Sequence, residues 1–152
     1  MLPKKQVAIS ACLLGCSCRY DASDNFNESV LATLSDCNLI PFCPEDDAFG
    51  SPRPTMDLIQ QKSETVAISN ETGENLSHFI TDYAHDFFDQ HPEIDLFVGK
   101  DRSPSCGVFS AKIYDHNKNL LQRGAGLMAQ VALDRGIESI DSEQLCNSPL
   151  SL

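Results

Sequence analysis

The sequence predicts one α/β domain over residues 1–152, built on a mostly parallel central sheet with helices on both faces and a short β-hairpin. Three observations carry that expectation. The first is a set of short apolar runs, residues 5–12, 39–43 and 96–100, too continuous for strands with a wet face and suited to a sheet covered on both sides. The second is the helical spacing of apolar residues between those runs, because a strand, a helix and a further strand make a right-handed crossover with parallel strands. The third is size: 152 residues with 41% hydrophobic content support a single core. Layers arranged in this way are Rossmann-like.

The elements follow in order. Residues 5–12 form the first strand, which stops at Cys12 with Gly15 shortly after. Residues 13–25 are polar and turn-rich and carry Cys16, Cys18, Arg19, Tyr20 and Asp21. Asn25 or Asn27 caps a helix whose stripe is Val30, Leu31 and Leu34, ended by Asn38 before the second strand. Residues 44–54 are rich in proline and charge and predict a loop. Alternation over 55–60 and 65–69 predicts the hairpin. Leu76, Phe79, Ile80, Tyr83, Phe87 and Phe88 recur at helical spacing over 75–90, and His91-Pro92 ends that helix. Residues 96–100 are the third strand, leading into Ser103-Pro104-Ser105-Cys106-Gly107. Residues 108–114 alternate like a strand, and 115–119 turn towards Leu120 and Leu121. Gly124 and Gly126 precede a helix over 127–135, stopped by Gly136, and residues 139–145 predict a short last helix capped by Ser139 or Asp141. No repeat, low-complexity segment or linker interrupts the chain.

Charge narrows the partners. A net charge of −11 argues against gripping a nucleic-acid backbone, although a local basic pocket for one small anion remains compatible with it. No apolar stretch has the length of a membrane span, and the apolar run within residues 1–10 is too short for a signal-peptide core, so a cytoplasmic location is expected. Seven cysteines in such a chain favour metal, cluster or catalytic use over disulfides. There is no P-loop, no dinucleotide-binding glycine fingerprint, no nucleophile elbow and no two pairs of close cysteines for a zinc ribbon.

Cys12, Cys43 and Cys106 each stand at or just past the end of an expected buried strand, beside a proline or glycine. If those strands are parallel neighbours, the three thiols converge on the rim where open α/β sheets place ligands. The bland alternative for each is a small buried hydrophobe. Thiolates suit soft metals and iron–sulfur clusters, and three of them on four irons would leave one iron open. Cys12, Cys16 and Cys18 make C-x3-C-x-C, which differs from the C-x3-C-x2-C spacing of radical-SAM clusters, and Cys16 and Cys18 are close enough to Cys12 in sequence for either to be a spare ligand. Cys37 and Cys146 read as structural, and His78, His85, His91 and His116 as scattered surface residues.

Ser10-Ala11-Cys12-Leu13-Leu14-Gly15, Cys18-Arg19-Tyr20-Asp21, Phe42-Cys43-Pro44-Glu45, Pro52-Arg53-Pro54, Lys100 and Ser103-Pro104-Ser105-Cys106-Gly107 together resemble the thiouracil desulfidase family, formerly domain of unknown function 523. The resemblance runs over residues 6–145, and Gly124 to Ala129 also fits it. It implies a 4Fe–4S cluster held by Cys12, Cys43 and Cys106, with one open iron acting as a Lewis acid on a thiocarbonyl sulfur. It also implies a non-redox desulfuration of a thiolated pyrimidine, thiouracil or 4-thiouridine monophosphate, to uracil or UMP and sulfide. Glu45 matches the family position for acid–base transfer, and Ser103 is the candidate to orient water or substrate. Arg19, Arg53, Lys100 and Ser105 are the candidate substrate contacts, the cations for a phosphate. The bland alternatives are an Arg19–Asp21 pair, Arg53 pairing with Asp46 or Asp47, a solvated Glu45 and a turn-capping Ser103. Two stretches depart from the family pattern. Asp46-Asp47-Ala48-Phe49-Gly50 stands where relatives are often glycine-rich, and Asn75-Leu76-Ser77 where they often show Asp and Thr.

Two other functions compete with the enzyme. One is a non-catalytic iron–sulfur or zinc-binding module, although a purely structural site would be closed by its ligands. The other is a desulfidase acting on thiolated tRNA, against which the acidic charge counts.

Overall fold

The computed structural model describes residues 4–17, 21, 24–50 and 53–147. Strands β1 (Gln6–Ser10), β2 (Asn38–Phe42), β5 (Leu96–Gly99) and β8 (Glu138–Asp141) form an all-parallel sheet in the order β2-β1-β5-β8. Val7, Ala8 and Ile9 are completely buried because both faces of β1 are covered. Each such Val or Ile stabilises the fold by about 1.5–3 kcal/mol relative to exposure. One face, through Val7, Ile9, Leu96 and Val98, packs on Val30 and Leu34 of the α1 region (Glu28–Thr33) and on Leu145 of α5 (Ser142–Asn147). The other, through Ala8, Phe42 and Phe97, packs on α3 (Ser77–Gln90) and α4 (Leu127–Asp134). The expected parallel sheet with helices on both faces is present.

A second sheet shares that latter core. Strands β3 (Met56–Gln61) and β4 (Glu64–Ser69) form the expected hairpin. β6 (Ala111–Tyr114) runs parallel to β3 and antiparallel to β7 (Leu120–Gly124), giving the order β4-β3-β6-β7. The sequence shows these strands but not their union, since nothing local pairs Leu58 with Ile113 across that gap. Burial of Met56, Leu58, Ala67, Ala111 and Ile113 against α3 and α4 decides it.

Two expectations are corrected. Residues 44–49, read as loop, form helix α2 (Pro44–Phe49), in which proline occupies the first turn and Glu45, Asp46 and Asp47 crowd the N-terminus. Both features favour a helix start rather than oppose one. The last segment begins as strand β8 rather than as helix, because residues 138–141 pair along the full length of β5 and bury Ile140 and Asp141. Asn27, not Asn25, caps α1, its side chain accepting from the Val30 N–H at 3.1 Å. Among the described residues, no helix is long and apolar enough to cross a membrane.

Candidate functional site

The sheet order places β1 between β2 and β5, so the chain reverses direction across the sheet at the β1–β5 junction. That is where a crevice opens in α/β folds. Cys12 lies in the 3-10 turn Ala11–Leu14 after β1, Cys43 is the residue before α2, and Cys106 lies in the loop after β5. All three line a single cavity of about 400 Å³. Glu45, Arg53, Lys100 and Ser103 share its wall with them.

Each cysteine-bearing loop is held by groups distant in sequence. The Cys43 N–H donates to the Tyr83 hydroxyl at 3.2 Å, which fastens the start of α2 to α3. Cys12 O accepts from the Asn25 N–H at 2.9 Å, and the Asn25 side-chain amide donates to Cys12 Sγ at 3.7 Å. Ser103 Oγ accepts the N–H groups of Ser105 (3.2 Å) and Cys106 (3.1 Å), which closes the tight turn presenting Cys106. Behind this turn, the buried carboxylate of Asp141 accepts from the Val108 N–H, the Phe109 N–H and the Ser110 hydroxyl at 2.7–3.0 Å. Those bonds take residues 108–110 out of the strand expected there, so β6 begins only at Ala111.

Two glycines let the loop lie this close. A Cβ on Gly99 would stand 1.7 Å from Cys106 O, and one on Gly126 would stand 2.6–2.8 Å from backbone atoms of Pro104 and Ser105. With Gly126 in place, the first N–H groups of α4 reach the carbonyls of Pro104 and Ser105 at 2.8–3.2 Å. Backbone donors that a helix start leaves unmatched are thereby satisfied by the Cys106 loop.

Electrostatics concentrate on Glu45 and Cys106. Burial pushes the Glu45 carboxyl above its ordinary range, while the Ser105 hydroxyl, donating to Oε2 at 2.8 Å, and Arg53, with Nε 3.8 Å from Oε1, pull the other way. Burial pushes the Cys106 thiol well up, and the negative charges of Cys43 and Glu45, then Cys12, add to that rise against a hydrogen bond from Ser10. Cys43 and Cys12, near enough to oppose the ionisation of Cys106 in a shared cavity, form with it a donor set suited to a cationic group rich in iron or another soft metal. Among the described residues no three His, Cys, Asp or Glu side chains are placed to hold one metal ion. Burial likewise keeps the Tyr83 hydroxyl protonated, its pKa pushed up.

Seven of the nine predicted site residues therefore share one wall, and Ser105 and Arg19 need separate comment. Ser105, expected to touch substrate, is completely buried, does not line the cavity and spends its hydroxyl on Glu45. It is a positioning residue for that carboxyl. Arg19 and Cys18 lie outside the described residues. Arg53 lines the cavity and also pairs with Glu45 and Asp46, so its anticipated structural pairing and its place in the site coexist. Cys16 is exposed, and Cys37 and Cys146 pack against the same core cluster as Cys12 and Cys43 without lining the cavity. Tyr83, Asp141 and Arg102 escaped the sequence reading. Tyr83 was indistinguishable from its apolar neighbours on α3. Arg102, in a left-handed conformation (φ 64°) on the cavity wall, carried no motif of its own.

Comparison with known proteins agrees with this geometry. The family model described as 2-thiouracil desulfurase matches residues 7–144. An uncharacterized Bacillus subtilis (strain 168) protein, YbbK, is 27% identical over 150 residues, covering 91% of this chain and 97% of its own. The solved structure of the 4Fe-4S-dependent thiouracil desulfidase TudS superposes with a TM-score of 0.74 at 26% identity, covering 95% of each chain.

Proposed function

The chain belongs to the 2-thiouracil desulfurase family, and on that premise we propose that it hydrolyses the carbon–sulfur bond of a thiolated pyrimidine. Water replaces sulfur at the ring carbon, giving the carbonyl base and hydrogen sulfide without net oxidation or reduction. The observation that carries this reading is the convergence of Cys12, Cys43 and Cys106, from three separate loops, on one cavity that also holds Glu45. These three thiolates would hold a 4Fe–4S cluster. When bound, that cluster would supply Lewis-acid polarisation of the thiocarbonyl sulfur at an iron without a protein ligand.

The chain's own groups handle the protons and the orientation. Glu45 accepts a proton from the attacking water and returns one to the departing sulfur. Its burial suits that exchange, because it makes the carboxyl a stronger proton acceptor than an ordinary glutamate. Ser105 holds Oε2, which fixes the carboxyl's direction. Ser103 has its lone pairs engaged by two backbone N–H groups and so offers its own proton to the water or substrate. Arg53 and Lys100 on the wall, together with Arg19, would receive an anionic group such as the phosphate of 4-thiouridine monophosphate. Asp57 and Asp101 on the same wall and the charge of −11 weigh against a long polyanion such as tRNA. Cysteine-rich and acidic, the enzyme suits the reducing cytoplasm.

Anaerobic reconstitution with iron and sulfide tests this reading. A cluster absorbance followed by sulfide release from 4-thiouracil or its nucleoside monophosphate is the expected result. Absence of any cluster absorbance would sink the cluster assignment, and a cluster without turnover on either substrate would reduce the protein to a binding module.

A further inference from the structure

The segment that leads into α1 contains three polar positions, Asp24, Asn25 and Asn27, with different tasks. Asp24 Oδ1 accepts from the Phe26 N–H at 2.8 Å, and Asn27 Oδ1 accepts from the Val30 N–H at 3.1 Å. These bonds build the turn and start α1. Asn25 already contributes to the turn through its backbone N–H, which donates to Cys12 O. Its side chain is not needed for that. Among the described residues, the Asn25 side-chain amide makes its hydrogen bond with Cys12 Sγ, and the residue lines the cavity.

We propose that Asn25 is a positioning residue for Cys12, aiming its sulfur at the cavity and withdrawing electron density from it through an N–H···S hydrogen bond. The inference rests on Cys12 being a ligand of the proposed cluster. A thiolate has no proton to give, so of the two ends of the amide only the NH2 group can face it favourably. The two anchors act together, since the backbone bond to Cys12 O fixes Asn25 and the side-chain bond then fixes the rotamer of Cys12. Partners of metal ligands orient them and tune the metal, and hydrogen bonds to the sulfurs are among the determinants of iron–sulfur potentials. A donor on Cys12 makes its thiolate a weaker electron donor. That leaves the irons more electrophilic, which is the property that activation of a thiocarbonyl sulfur needs.

The test compares Asn25→Ala with Asn27→Ala in the full chain after anaerobic reconstitution, reading iron content, reduction potential and the rate of iron loss to a chelator. Asn27→Ala removes the α1 cap from the same segment and has no bond to Cys12, so it controls for loosening of the loop. The expected result is that Asn25→Ala loads iron as the parent does, shifts the potential to more negative values and gives up iron several-fold faster. Asn27→Ala should lower thermal stability and leave the potential unchanged. An unshifted potential in Asn25→Ala, or an equal shift in Asn27→Ala, overturns the proposal while leaving the cluster in place. A parent chain that takes up no iron overturns the cluster reading and this inference with it.

Discussion

Replacing Ser105 with alanine isolates one bond beneath the site. The serine is completely buried and the Glu45 side chain is 16% exposed, so water cannot easily replace the lost donor. A hydrogen bond to a charged acceptor contributes about 1.5–3 kcal/mol. Because the bond is already made in the resting chain, its loss appears as a stability decrease of that size where Glu45 is ionised, and kcat/KM falls only as far as the carboxyl loses its aim. The pH dependence carries the sharper diagnosis. Burial raises the folded Glu45 pKa above its ordinary 4.5, so the folded chain keeps a proton that the unfolded chain releases. Its contribution to stability is whole below about that pH and is lost as pH rises through the folded value. Ser105 is one of the influences that lower the folded value, so Ser105→Ala should move it higher still. Sulfide release measured across pH should then show its Glu45 limb displaced to higher pH. Denaturant unfolding should show a larger stability loss at pH 8 than at pH 4. A limb that stays in place, with equal losses at both pH values, would refute the assignment of Ser105 to Glu45.

Four further perturbations test other parts of the site. Alanine at Cys12, Cys43 or Cys106 should abolish cluster absorbance after reconstitution, whereas Cys37→Ala and Cys146→Ala, which do not line the cavity, should retain it. Arg53→Ala should raise KM for a thiolated nucleotide but not for the free base, with any fall in kcat through its pairing with Glu45 common to both; equal KM effects would reject a phosphate role. Gly99→Ala should destabilise the fold by about 1–3 kcal/mol or more, because its Cβ meets the Cys106 carbonyl at 1.7 Å; an unchanged denaturation midpoint would contradict that packing. Asp141→Ala should cost about 1–3 kcal/mol, since it strands the buried Val108 donor and takes a partner from the part-buried donors of Phe109 and Ser110, and should also weaken iron retention by the neighbouring Cys106.

Local sequence determined the parallel sheet and the three ligand candidates. Continuous apolar runs can be strands only where both faces are covered, and the end of a run is visible as the cysteine, proline or glycine that stops it. Cys12, Cys43 and Cys106 were therefore legible together with the edge they occupy, and Pro44 and Glu45 with them through the family motif. Residues 44–49 resemble a loop locally because proline and clustered charge break a helix interior, whereas at a first helical turn both are stabilising. Pairings that depend on distant partners could not be read this way. No local pattern joins Leu58 to Ile113, attaches Tyr83 to the Cys43 N–H, or turns the carboxylate of Asp141 towards residues 108–110. Hydrogen bonds of this kind cost no sequence periodicity and leave none behind. Ser105 shows the same division inside a single motif. Its neighbourhood to Cys106 was written in the chain, but only the packing of α2 against that loop decided that its hydroxyl faces Glu45 rather than the cavity.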